Sequence, residues 1–212
     1  MIPFSPEVFF ALFEEYNLAV WPAQLVAYAM GLLVLVLAVR PSRMTGALIG
    51  MILAAFWLWN GIVYHWLFFA PINFAAPVFA ALFVIQAALF LWKLVIRRSA
   101  TIAFERDAAG VAGLTFMVCA LAVYPLLAIA SGHGWPQFAV FGVAPTPTVI
   151  FSLGVLMLVR PRPSLMLLFI PVLWALIGGV LVWLVGIPED VLLPVAAVAA
   201  VVLVVRQRRR PA

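Results

Sequence analysis

The sequence predicts an all-α integral membrane protein with seven transmembrane helices, its N-terminus outside and its C-terminus in the cytoplasm. Three observations predict this. Of the 212 residues, 68% are hydrophobic and 9% charged, where a soluble domain has about 45–50% apolar and about 25% charged residues. Seven segments approach the ~20 apolar residues that a helix needs to cross a hydrocarbon core unable to hydrate free backbone groups. With seven spans, all 12 Lys and Arg fall on one side.

The first element is an N-terminal interfacial segment, 1–19. It has no basic n-region and no small-residue cleavage site, so it is expected to stay in the mature chain. Ser5 is placed to cap a short helix from Pro6 to Tyr16. The Phe9, Phe10 and Phe13 face of that helix is expected in the outer interface, as a structural anchor rather than a lid.

The spans follow at 20–39, 46–69, 74–95, 108–130, 145–159, 164–185 and 190–206. The fifth and seventh are short. Each is expected to tilt or to begin with irregular backbone, at "APTPT" and "GIPED". The basic tail 207–212 closes a single membrane domain.

Orientation rests on the basic residues, which collect in cytoplasmic loops. They are Arg40, Arg43, Lys93, Arg97, Arg98, Arg106, Arg160, Arg162, Arg206, Arg208, Arg209 and Arg210. The opposite side carries Glu7, Glu14, Glu15, Glu189 and Asp190 and no basic residue. A pI near 10.1 is therefore read as topology and attraction to anionic lipid, not as nucleic-acid binding.

A shift of 117 residues aligns 57–84 with 174–201 without a gap, and ten of the 28 positions are identical. The matches include Trp57 with Trp174, Gly61 with Gly178, Trp66 with Trp183, Pro71 with Pro188 and Pro77 with Pro194. The preceding helices fit as well, through Pro22 and Gly31 against Pro145 and Gly154, each followed by "RP". This predicts a parallel 3+1+3 repeat: a first triplet in 20–95, a linker helix at 108–130 and a second triplet in 143–206. Parallel repeats about an axis normal to the membrane are a transporter device, seen in small seven-helix sugar transporters. The Pro-Gln motifs of that superfamily are missing, since Ala23 follows Pro22 and Thr148 follows Pro147.

The repeat also serves as an internal control on polar residues. Where the second copy has Ile177, Leu181 and Val182, the first has Asn60, Tyr64 and His65. The scaffold does not need these polar groups, and ionisable residues within spans usually face the protein interior or a wet cavity. His65 is expected about 6 Å below the outer end of its helix, four residues before Phe69. It is read as part of a ligand, proton or metal site, against an interfacial histidine bonded to a nearby carbonyl. His133, between Gly132 and Gly134, falls on the same outer side, and Thr146 and Thr148 alternate with prolines at the start of the fifth span.

The ligand-binding candidates are thus His65, Tyr64, Asn60, His133, Thr146 and Thr148. A metal site would have to draw on His65, His133, Glu14, Glu15, Glu189 and Asp190. The single cysteine, Cys119, rules out an intrachain disulfide and a Cys-rich metal site. Lys93 ends a span, so no retinal Schiff base is expected, and no Walker or HExxH motif is present. A bis-histidine haem would need one ligand from a loop. No cofactor is assigned.

Five blocks, "YNLAVWPAQ", "WLWNGIVYHWLFFAPINFAAP", "YPLLAIASGHGWP", "FGVAPTPTVIF" and "PVLWALIGG", resemble a family of bacterial multi-pass inner-membrane proteins of unknown function. The resemblance covers nearly the whole chain and implies an inner-membrane location without implying an activity. In that family's pattern a cysteine often stands where this chain has Thr146, so thiol chemistry is not expected there.

The leading expectation is binding or transport of a small solute or ion near the extracytoplasmic face, with the lipid bilayer as the surrounding partner. The alternative is an accessory subunit of a larger respiratory or photosynthetic membrane complex, in contact with other subunits or with itself. It draws support from the lack of Asp, Glu, Lys or Arg at mid-membrane. A metal- or haem-binding protein is third, and an enzyme has little support.

Overall fold

A computed structural model describes residues 4–160 and 164–209. Arg162 and Arg210 of the expected basic face lie outside the described residues. The fold is helical, with eight helices in chain order among the described residues: α1 (Pro6–Ala19), α2 (Ala23–Val39), α3 (Thr45–Phe69), α4 (Ala76–Ile96), α5 (Ala108–Ala130), α6 (Pro145–Met157), α7 (Leu165–Leu181) and α8 (Leu192–Arg209). A π turn, Val182–Gly186, continues α7, and a 3-10 turn, Pro188–Val191, leads into α8. Two short strands, β1 (Thr101–Ile102) and β2 (Val159–Arg160), pair antiparallel.

Local chemistry sets the helix starts. Ser5 accepts from Val8 N at 3.4 Å and Pro6 fills the first turn of α1, where a missing N–H costs nothing. The Ser5 hydroxyl also holds the Glu7 carboxyl below its ordinary range. Asp107 caps α5 by accepting from Gly110 N at 2.7 Å. Within α5, the π turn Cys119–Val123 ends two residues before Pro125, whose ring removes one backbone donor.

Among the described residues, four helices are long and apolar enough to cross a membrane: Thr45–Phe69, Ala76–Ile96, Ala108–Ala130 and Pro188–Arg208. Counting α1 and α2 as one broken span, bent by 86°, makes five. Their outward side chains are apolar, as at Leu25, Leu32 and Val36 on α2, where a bilayer rather than water suits them.

α6 departs most from the expected pattern of spans. It has 13 residues, about 20 Å at 1.5 Å per residue, which is short of a ~30 Å hydrocarbon core. Every residue from Pro145 to Met157 is buried, because α3, α5, α7 and α8 pack around it. A helix sheathed in protein need not reach either interface. The other short segment, expected at 190–206, does begin irregularly, with the 3-10 turn at Pro188–Val191.

The helix ends gather into two faces. At one, β1 pairs with β2, Phe104 N donates to Ala38 O at 2.8 Å, and Gln207 Nε2 donates to Met157 O at 3.3 Å. Arg160 there meets Asp107 at 2.9 Å and Glu105 at 3.1 Å. At the other face, α1 lies over the end of α3 and the loop 131–144. Its Phe9 and Phe13 are buried against protein rings, including Phe69 and Tyr64, where a lipid-facing anchor had been expected. The difference is that the receiving rings come from a distant segment.

Candidate functional site

Hydrogen bonds spanning most of the chain latch α1 onto the loop 131–144. Asn17 Nδ2 donates to Pro136 O at 2.6 Å and to Phe138 O at 2.9 Å, and Gln24 Nε2 closes onto Asn17 O at 2.8 Å. Tyr16 donates to Val143 O at 2.6 Å while accepting from Trp59 Nε1 at 2.9 Å. Gln137 Nε2 donates to Glu14 Oε2 at 2.9 Å. Helix and loop thereby roof a cavity at the end of the fold that carries Glu189 and Asp190.

That cavity has aromatic walls and an acidic floor. Phe9, Phe10 and Phe13 of α1 face Tyr64, Tyr124 and Trp174, with Thr146, Glu189 and Asp190 among the polar lining. Its free volume of about 30 Å³ is enough to hold ordered water.

The two carboxylates are buried, Glu189 at 2% and Asp190 at 6% exposure, but they are compensated unequally. Asp190 accepts from Tyr124 Oη at 2.5 Å and from Thr146 Oγ1 at 3.3 Å, and Thr146 sets it beside the partially positive N-terminus of α6. Glu189 has no such set. Its Oε1 lies 4.0 Å from His133 Nδ1, beyond hydrogen-bonding distance, and its Oε2 makes no hydrogen bond. The neighbouring Ser131 hydroxyl donates instead to Leu127 O at 2.9 Å. Trp174 Nε1, also on the cavity wall, is likewise unbonded. Burying such groups without partners costs free energy, most of all for a charge.

The residues expected from sequence divide into three groups. Tyr64 and Thr146 line the cavity, and His133 stacks on its Phe10 wall at 3.9 Å. Asn60 and Thr148 have structural duties instead. Asn60 Nδ2 donates to Phe56 O and Gly142 O, and Thr148 Oγ1 donates to Ala144 O while accepting from Gly142 N. His65 is fully buried one ring behind the cavity, enclosed by Tyr64, Phe69, Phe79, Phe83 and Trp174 at 4.8–5.9 Å between ring centres. Neither of its nitrogens makes a hydrogen bond.

For the metal candidates, the described residues contain no group of three or more His, Cys, Asp or Glu side chains able to hold an ion. His65 has aromatic neighbours, His133 has Phe10 and Glu189, Glu14 is engaged by Gln137, and Glu15 is exposed.

Tyr124 and Trp174 line the cavity without having been among the expected site residues. Tyr124 is a hydroxyl inside an apolar span immediately before a proline, a signal of the same kind as Asn60. Trp174 appeared in the repeat as the partner of Trp57, and both rings pack on Phe83, at 4.4 Å for Trp57 and 5.1 Å for Trp174.

No curated protein and no solved structure matches the chain. One family profile does, over residues 6–212, and it is described as a family of unknown function, DUF6064. With that match running almost end to end, the chain belongs to the DUF6064 family.

Proposed function

We propose that this is a multi-pass protein of the bacterial inner membrane that binds a small solute in the cavity at its extracytoplasmic end. The observation that carries the reading is the Glu189 carboxylate, buried on the cavity wall with one oxygen unbonded. A buried charge is ordinarily paired, and a solute entering beneath α1 would supply the pair. The gathering of basic residues at the opposite end supports an N-terminus outside, under the positive-inside bias.

One feature supports the parallel repeat within this reading. The π segments end at Phe69 and at Gly186, which are 117 positions apart, the same shift that aligns the sequences. Binding is favoured over transport because α6 fills the interior at mid-depth, with Val149, Ile150, Phe151, Leu153 and Val155 fully buried and Trp57 Nε1 bonded to Ser152 at 2.9 Å.

That closed interior favours the second reading, an accessory subunit of a larger membrane complex. Apolar grooves between α2 and α3 and between α7 and α8 would then receive partner helices.

The test is a thermal-shift screen of the purified protein against cationic, neutral and anionic small metabolites, repeated with Trp174→Phe. At least one solute should raise the melting temperature of the wild type and raise it less in the variant. If no solute of any charge class does so, the binding reading fails and the accessory reading stands.

A further inference from the structure

We infer that the solute is a small protonated alkylamine, held with its ammonium group against the aromatic walls and one N–H donating to Glu189 Oε2. This rests on the solute-binding reading above.

The charge of the site argues first. Two carboxylates are buried on the cavity wall, and no lysine or arginine lines it among the described residues. An anionic solute would add negative charge beside two carboxyl groups already crowded into a low-dielectric space, whereas a cation favours the ionised form of Glu189 and gives its Oε2 a partner. His133 is the nearest protein cation when protonated, but it stands 4.0 Å from Oε1 and leaves the buried Oε2 without a hydrogen bond.

The walls argue next. Ring faces at hydrocarbon contact distance attract a cation through their quadrupoles, and the gain grows when water is excluded. Here Phe13 stacks with Tyr64 at 5.6 Å, and Tyr64 with Phe69 at 5.7 Å, so that several rings border one space. A hard divalent cation is poorly served, because calcium takes six to eight oxygens and magnesium keeps a water shell. The cavity offers Glu189, Asp190 and Thr146, and both Asp190 oxygens already accept hydrogen bonds.

Glu189 also discriminates among organic cations. A quaternary ammonium carries charge but no N–H, so Oε2 would remain without a hydrogen bond. A primary or secondary ammonium satisfies charge and hydrogen bond together. A space of about 30 Å³ suits a ligand of a few non-hydrogen atoms. Trp174 Nε1 is left to a water or to an acceptor on the amine itself.

The experiment compares methylamine, ethylamine and propylamine with ethanol, propanol, tetramethylammonium, calcium and magnesium in thermal-shift titrations of the full chain in detergent. The amines are expected to stabilise the wild type saturably, and the alcohols and divalent ions are not. Glu189→Gln should weaken the amine by about tenfold or more, the scale of one charge-assisted hydrogen bond. Glu15→Gln, an exposed carboxylate on the same face, should leave it unchanged.

Equal stabilisation by alcohols, by tetramethylammonium or by a divalent ion overturns the inference, as does undiminished amine binding in Glu189→Gln. A neutral or anionic metabolite that binds in a Trp174-dependent way overturns the amine while leaving the site intact. Failure of every class removes both. If Glu189→Gln does not fold, chemical-shift perturbation of 15N-labelled Trp174 Nε1–H in the wild type, present with amines and absent with alcohols, decides the same question.

Discussion

Gly113 of α5 and Gly154 of α6 meet backbone to backbone: a Cβ built on either would lie 2.6 Å from the carbonyl oxygen of the other. Small residues at such a crossing let two apolar helices approach closely enough for dispersion to hold them, where lipid offers no hydrophobic drive for association. Leu158 Cδ1 lies closer still to the Gly113 position, at 2.3 Å, but a backbone oxygen blocks both sides, so side-chain rotation alone does not relieve an added methyl. Gly113→Ala and Gly154→Ala should each destabilise the protein by about 1–3 kcal/mol, as overpacking does. Gly179→Ala is the control, since its Cβ would meet Pro194 at an ordinary 3.6 Å. Thermal unfolding in detergent should show lower melting temperatures for the first two and no loss for the third.

Tyr124 and Asp190 are joined across 66 positions by a 2.5 Å hydrogen bond in a buried setting. Tyr124→Phe keeps the ring and strips Asp190 of its shorter donor, leaving Thr146 at 3.3 Å. The expected loss is about 1–3 kcal/mol, the range for an orphaned acceptor. Thr146→Val should cost less, because its hydrogen bond is longer. The double variant should lose less than the sum of the two, since both act on one carboxylate, and a double-mutant cycle on melting temperature checks it.

These two contacts mark where sequence reasoning reaches its end. The helix positions were legible because apolar runs, Pro and cap residues are local: Ser5 caps α1 as expected, and helices occupy the seven expected segments, four or five of them long and apolar enough to cross a membrane. That α6 would be wrapped in protein was not legible, because a buried and a lipid-facing apolar helix have the same composition. The polar stretch around His65 was legible as unusual, and Tyr64 does line the cavity. Which of its residues would face that space depended on Trp174, over a hundred positions further on, and on α1, a separate helix near the start of the chain. Glu189 and Asp190 could be assigned from charge alone to the end opposite the basic residues. Their different compensation was hidden, because Tyr124 and Thr146 reach Asp190 from separate helices.

Asn17 is the main latch of α1, with one amide nitrogen serving both Pro136 O and Phe138 O. Asn17→Asp turns that donor into an acceptor facing two carbonyls, which repel it. Asn17→Ala only removes the bonds. Hydrogen exchange along Pro6–Ala19 should accelerate in both variants, more in Asp than in Ala, while exchange in α6 stays at the wild-type rate. Uniform acceleration of both helices would mean that α1 unfolds only together with the core and is not a separately latched roof.

The proposed orientation makes a prediction independent of any ligand. Ser131 is exposed in the loop that follows α5, at the acidic end, and Ser99 is exposed beyond α4, at the basic end. In a Cys119→Ala background, Ser131→Cys should react with a membrane-impermeant maleimide on intact cells. Ser99→Cys should react only after the membrane is permeabilised, because Lys93, Arg97 and Arg98 beside it hold that end in the cytoplasm. The opposite pattern would invert the protein and put the Glu189 cavity on the cytoplasmic side, where an extracellular amine could not reach it directly. Labelling of both positions from outside would place the two ends of α5 on one side of the bilayer, and the 23 residues of Ala108–Ala130 would then not be a crossing.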